Sequence, residues 1–109
     1  MSCQTPQNKN VTHISPTELH QKISDNIQLI DVRTPKEYAL AHISNAENIN
    51  FFDEDFFEKI NKLDKETPVF IYCRSGKRSN KSIKEFQNAG FTKIYNLKGG
   101  FLNWKSKGL

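Results

Sequence analysis

"PVFIYCRSGKRS" (residues 68–79) joins a continuous apolar run to six residues that carry no apolar side chain. Its first half, opened by Pro68, is the pattern of a strand covered on both faces, since a strand wetted on one side alternates polar with apolar. Its second half cannot be buried in the same way, because Arg74, Lys77 and Arg78 would lose their hydration without gaining partners. A strand therefore ends at Cys73 and a surface loop follows, or a loop wrapped around an anion. Ile83, Phe86 and Ala89 then recur at helical spacing up to Gly90, a natural stop, so a helix is expected to begin near Arg78 or Ser79.

The same alternation extends in both directions. "VTHIS" (11–15) reads as a short strand, and Ser15-Pro16-Thr17-Glu18 supplies an N-cap, a proline at the first helical position and the glutamate of a capping box. That helix is expected to run through about Ile23. "IQLIDV" (27–32) is a second β-rich run, and Thr34-Pro35-Lys36-Glu37 repeats the helix-start device. "AENINF" (46–51) is a weaker strand. "DEDFFEKINKL" (53–63) places Phe56, Phe57, Ile60 and Leu63 at helical spacing, with Glu58 and Lys62 facing away, and Phe51, Phe52, Phe56 and Phe57 are expected in the core. "TKIYNL" (92–97) is a last strand, Gly99-Gly100 a turn, and "FLNWKSKGL" (101–109) a terminal helix.

Strands alternating with short helices predict an α/β fold with a mostly parallel central sheet flanked by helices on both faces. A chain of 109 residues holds one such core. Residues 1–10 are polar and read as a flexible tail, leaving 11–109 as the domain. Ligands of parallel sheets bind beyond the carboxyl ends of the strands, where Cys73 sits.

Composition excludes several classes. The net charge of +4, from 16 basic and 12 acidic residues, falls short of a nucleic-acid footprint, although it suits small anions. No apolar run reaches membrane-spanning length, and the start has neither the basic nor the apolar region of a signal peptide. A cytoplasmic protein is expected from the sequence as given; a cysteine followed by a polar tether is also how a mature lipoprotein begins, which keeps a periplasmic or lipid-anchored form in view. Cys3 and Cys73 form neither a disulfide framework nor a metal site, and no metal or cofactor is expected.

A strand-terminal cysteine is ordinarily a small buried hydrophobe. A solvated basic turn would account for the charges here, but not for the placement of Cys73 and Gly76. If the loop curls so that its amides and the next helix N-terminus point at the sulfur, with Arg74, Lys77 and Arg78 nearby, the thiolate is favoured over the thiol and becomes nucleophilic. Gly76 supplies the positive φ of a tight ring. Ser75 and Ser79 offer hydroxyl donors. His13, His20 and His42 are distant in sequence and read as surface or packing residues, so nothing favours a Cys-His protease pair.

"DVRTPKEY" (31–38), "AHISNAENI" (41–49), "CRSGKRS" (73–79) and "LKGGFLNW" (97–104) occur in the order and spacing seen in single-domain rhodaneses, the small thiosulfate sulfurtransferases, and the resemblance spans residues 11–109. It implies a rhodanese fold in which Cys73 opens the active-site loop and carries a persulfide. A small anionic donor such as thiosulfate gives up sulfane sulfur, and a thiophilic acceptor, cyanide or a small or protein thiol, removes it. Glutathione persulfide, 3-mercaptopyruvate and a protein persulfide are other donors the family suggests; the basic loop leans toward thiosulfate. Asp31, Arg33 and Glu37 match the family signature and read as a structural charge network, with Trp104 and Gly99-Gly100 architectural. Ala41 and Asn45 stand where the family commonly has glycine, in a turn away from the chemistry.

Two rivals share the fold. Dual-specificity phosphatases and arsenate reductases wrap a cysteine loop around an oxyanion, with five residues between Cys and Arg; here four separate Cys73 from Arg78. Non-catalytic rhodanese-like binding modules often lack the cysteine that this chain keeps.

Overall fold

The computed structural model describes residues 10–109; the proposed tail, including Cys3, lies almost wholly outside them. In chain order the elements are β1 (Val11–Ile14), α1 (Pro16–Ile23), β2 (Gln28–Asp31), α2 (Pro35–Leu40), β3 (Glu47–Asn48), α3 (Phe56–Ile60), β4 (Val69–Tyr72), α4 (Lys77–Ala89), β5 (Ile94–Leu97) and α5 (Gly100–Ser106). The five strands form one sheet in the order β1-β5-β4-β2-β3, and every pairing is parallel.

The apolar run that opened the reading is the central strand. All four residues of β4 are buried, between β2 and β5. Their alternation divides the core: Val69, Ile71 and Cys73 pack with Phe56, Ile60, Ile83 and Phe86 on the face covered by α3 and α4. Phe70 and Tyr72 pack with Leu19, Phe101 and Trp104 on the face covered by α1 and α5. Burial on both faces is why this strand reads as unbroken apolar sequence.

Both capping boxes form. Ser15 Oγ accepts the Glu18 N–H at 3.1 Å while Glu18 Oε1 accepts the Ser15 N–H at 2.8 Å. Thr34 Oγ1 accepts the Glu37 N–H at 3.2 Å, and Glu37 Oε1 accepts the Thr34 N–H at 3.0 Å. Each box satisfies two backbone donors that a helix N-terminus otherwise leaves open.

The stretch 46–63 departs from expectation. β3 is two residues long rather than six, and α3 runs only from Phe56 to Ile60. Phe56 and Ile60, one helical turn apart, are buried, which rotates Phe57 by about 100° toward solvent, where it is 39% exposed. Phe51 is half-buried with its ring edge-on to Phe56 at 5.3 Å, whereas Phe52, in the turn before α3, is 64% exposed. Phe52 and Phe57 are therefore not core residues. α4 begins at Lys77, one residue earlier than expected, with Gly76 as its N-cap.

Candidate active site

Cys73 follows the last residue of β4, at the carboxyl end of the sheet, and its thiol is turned into the α3/α4 core face. The residue is 1% exposed, while Arg74, Ser75 and Lys77 around it face solvent. The Gly76 N–H donates to Cys73 Sγ at 3.1 Å. That contact requires the chain to double back within three residues, which Gly76 achieves with φ +103°, a conformation that side-chain-bearing residues rarely adopt. The first N–H of α4 with a backbone acceptor is that of Asn80, on the Gly76 carbonyl at 3.0 Å. The three N–H groups before it have no intrahelical partner and give the helix start its positive end.

The other side of the loop is held by α5. Its Phe101 N–H donates to the Cys73 carbonyl at 2.8 Å and its Leu102 N–H to the Arg74 carbonyl at 3.0 Å. Two open donors of one helix are thus satisfied by two loop carbonyls, which are drawn toward α5. The approach is so close that a Cβ on Gly100 would stand 2.5 Å from the Arg74 carbonyl oxygen and 2.6 Å from that of Cys73. Gly100→Ala is therefore expected to push α5 off the loop, costing about 1–3 kcal/mol in urea unfolding and slowing alkylation or turnover at Cys73. A variant with wild-type stability and wild-type Cys73 reactivity would show that the contact does not hold the loop.

The cations and hydroxyls of the loop are arranged in ways the local sequence does not reveal. Arg78 makes a two-pronged ion pair with Glu37, Nη1 to Oε1 at 2.7 Å and Nη2 to Oε2 at 2.9 Å, and its guanidinium lies 5.6 Å from the Phe52 ring centre. The Glu37 hydrogen bonds hold the Arg78 pKa above its ordinary value against the opposing effect of burial. Arg74 and Lys77 have no carboxylate partner among the described residues. The buried Ser79 hydroxyl donates to the Gly76 carbonyl at 3.3 Å rather than to sulfur. Ser75 is exposed.

Arg78, followed by the Thr34 cap, holds the Glu37 carboxyl down at about 2 against the opposing effect of burial. A carboxylate whose folded pKa lies below its unfolded value of 4.5 stabilises the fold fully above that value. This contribution, on the order of 2–3 kcal/mol, disappears as pH falls from about 4.5 toward 2. Glu37→Gln should flatten the stability profile across that window, measured as urea midpoints against pH; an unchanged slope would remove Glu37 from the acid response.

Beneath this pair lies a second, buried one. Arg33 Nη2 meets Asp31 Oδ2 at 2.7 Å and Arg33 Nε meets Oδ1 at 3.0 Å, while the Arg33 N–H also donates to Oδ1 at 2.9 Å. Arg33 Nη2 donates to the Ala41 carbonyl at 2.7 Å, and the guanidinium lies 4.5 Å from the Phe101 ring centre. Burial lowers the Arg33 pKa, but the Asp31 hydrogen bonds and charge outweigh it and the net shift is upward. The Tyr72 hydroxyl, which accepts the Ile43 N–H at 3.1 Å, is shifted upward by burial and then by the Asp31 charge. Asn48, not singled out by the sequence reading, donates through Nδ2 to the Asp31 and Arg33 carbonyls at 3.0 and 2.9 Å.

No histidine is hydrogen-bonded to Cys73 among the described residues, although His13 lines a pocket with Ser75, Gly76 and Lys77 of its loop. His13 faces Asn96 at 3.3 Å, His20 lies 5.8 Å from Trp104, and His42 stacks on Tyr38 at 3.7 Å. Among the described residues no group of His, Cys, Asp and Glu could hold a metal ion, and no helix is long and apolar enough to cross a membrane.

A parallel five-stranded α/β domain whose central strand delivers a cysteine to an amide-donating loop defines the class. Residues 15–107 match the Rhodanese-like domain family, and the chain belongs to it. It is 40% identical over 80 residues to YqhL of Bacillus subtilis (strain 168), covering 73% of this chain but only 62% of that protein's length. It is 32% identical over 93 residues to the thiosulfate sulfurtransferase GlpE of Pseudomonas paraeruginosa, covering 85% of this chain and 83% of that one. A tRNA uridine(34) hydroxylase from Chlamydia pneumoniae is 36% identical over 110 residues, 94% of this chain and 34% of the hydroxylase. Among solved structures, a rhodanese-related protein from Thermoplasma volcanium superposes with a TM-score of 0.78 at 26% identity, covering 89% of this chain and 93% of that one. Relatives named thiosulfate sulfurtransferase, at 32% and 33% identity, support a sulfurtransferase superfamily.

Proposed function

We propose that the protein is a thiosulfate sulfurtransferase working by double displacement through a persulfide on Cys73. The observation that carries this reading is the Gly76 N–H donated to Cys73 Sγ at 3.1 Å beside the N-terminus of α4. An amide donor and a helix N-terminus stabilise an anion, and both the thiolate and the terminal sulfur of a persulfide are anions. In the first half-reaction the Cys73 thiolate attacks the outer sulfur of thiosulfate, and sulfite leaves with the electron pair of the broken S–S bond. In the second, cyanide or a thiolate attacks that terminal sulfur and the Cys73 thiolate leaves.

The loop length favours this chemistry over phosphoryl or arsenate chemistry. Four residues separate Cys73 from Arg78, and the Arg78 guanidinium is engaged by Glu37 instead of standing free to clamp a tetrahedral oxyanion. Arg74 and Lys77 remain as exposed cations that draw in a small anionic donor.

The test is intact mass of the reduced protein before and after thiosulfate, then after cyanide. A gain of one sulfur, about 32 Da, removed by cyanide as thiocyanate forms, is the expected result of this covalent scheme. No adduct from thiosulfate or from an organic persulfide, with turnover of a phosphate ester or arsenate instead, would replace the proposal with its oxyanion rival.

A further inference from the structure

A hollow opens where the loop after Cys73 faces the carboxyl ends of β1 and β5. It encloses about 330 Å3, with Ser75, Lys77 and Asn80 from the loop and the start of α4, and His13, Asn96 and Lys98 from the strand ends. All of these but Asn96 are exposed. Lys77 and Lys98 meet no carboxylate among the described residues, and none of the residues lining the hollow is acidic, so its charge is positive.

Asn96 makes this more than a basic surface. It is 4% exposed, and its Oδ1 has no hydrogen-bond partner among the described residues. His13 and Asn96 are register partners across β1 and β5, and Asn96 Nδ2 lies 3.3 Å from His13 Nδ1. That contact uses the nitrogen of the amide and leaves its oxygen idle. Two residues back along β5, Ile94 packs with Ile83 and Phe86 of α4, so strand alternation turns the Asn96 side chain to the same face, where α4 begins. A buried acceptor without a donor is costly, and one at the wall of a hollow points to a ligand that brings the donor with it.

The ligand must carry negative charge for two lysines and one O–H for Asn96. Sulfate has the charge without the proton; hydrogen phosphate has both. We infer that the hollow is a binding site for hydrogen phosphate, whose O–H donates to Asn96 Oδ1 while its other oxygens accept from Lys77, Lys98, Ser75 and Asn80. The space of roughly eleven waters in the liquid holds the ion with part of its hydration. This site goes beyond the sulfurtransferase reading and does not depend on it, since no persulfide enters the argument.

The experiment titrates the reduced full chain with inorganic phosphate, sulfate and methyl phosphate at mildly alkaline pH and constant ionic strength, followed by amide NMR. Under those conditions all three are dianions, and only inorganic phosphate keeps an O–H. Phosphate should shift the Asn96 side-chain amide and the Ser75 and Lys77 amides with one midpoint. That midpoint should lie about tenfold below those of sulfate and methyl phosphate, the worth of one net hydrogen bond. Asn96→Ala should bring the three ions within about threefold of one another. Lys98→Gln, at an exposed position that leaves the fold alone, should weaken all three by about threefold and keep their order. Equal midpoints for phosphate and sulfate, methyl phosphate as tight as phosphate, or a preference that survives Asn96→Ala would overturn the assignment. So would midpoints that Lys98→Gln leaves unchanged, or shifts that miss Asn96 altogether. Nothing turns over in the titration, so its result is separate from that of the mass test on Cys73.

Discussion

Replacing Cys73 with serine is expected to leave the domain folded and to lower sulfur transfer by at least about 10³-fold, to the level of the reaction without enzyme. The substitution changes one atom at a buried position. The serine hydroxyl can accept the Gly76 N–H that Sγ accepts now, so the new polar group is not stranded and the expected loss of stability is about 1 kcal/mol. Nucleophilicity disappears for a different reason. A serine attacks only when a base removes its proton, and among the described residues no histidine is hydrogen-bonded to Cys73. Thiocyanate formation and the cyanide-labile sulfur adduct should vanish together, while the thermal melt stays near wild type. Cys3→Ser should retain the adduct and the rate. Residual transfer within tenfold of wild type in the Cys73 variant would show that another group carries the sulfur.

What was legible in the sequence is what local chemistry decides. Pro68 to Cys73 reads as a buried strand because both of its faces are covered, and the two capping boxes close within three residues of each N-cap. The Gly76 turn belongs to the same kind, since the contact from its N–H to Cys73 spans only three residues. What escaped depends on residues far apart in the chain. Glu37 and Arg78 are separated by 41 positions, and nothing in "RSGKRS" says that one of its three cations is engaged. Gly100 reads as half of a turn, yet its lack of a Cβ is what lets α5 meet the Cys73 and Arg74 carbonyls. Phe52 and Phe57 face solvent, and spacing alone does not reveal that Phe52 falls in the turn before α3, nor that α3 turns Phe56 and Ile60 rather than Phe57 to the core.

The largest loss of stability is expected from Asp31→Ala. Arg33 is buried, and its guanidinium has Asp31 as its carboxylate partner. Removing that partner leaves a cation with one carbonyl acceptor at Ala41 and the rings of Phe101 and Tyr72 beside it. An uncompensated charge of this kind costs about 3–5 kcal/mol, a large share of the roughly 5–15 kcal/mol that holds a domain folded. The effect should appear as a lower urea midpoint at unchanged slope. The pair also ties the end of β2 to the segment after α2 and to the underside of α5, so loosening should reach the helix that anchors the Cys73 and Arg74 carbonyls. Adding Arg33→Met to the variant removes the stranded cation and should recover part of the loss, because an apolar side chain tolerates that site better than an unpaired guanidinium. The recovery should be incomplete, since the Ala41 carbonyl loses its donor and the Arg33 N–H has already lost Asp31 Oδ1. A single-variant loss below about 1 kcal/mol, the range of exposed ion pairs, would mean that the pair does not cross-link the sheet to the active-site layer.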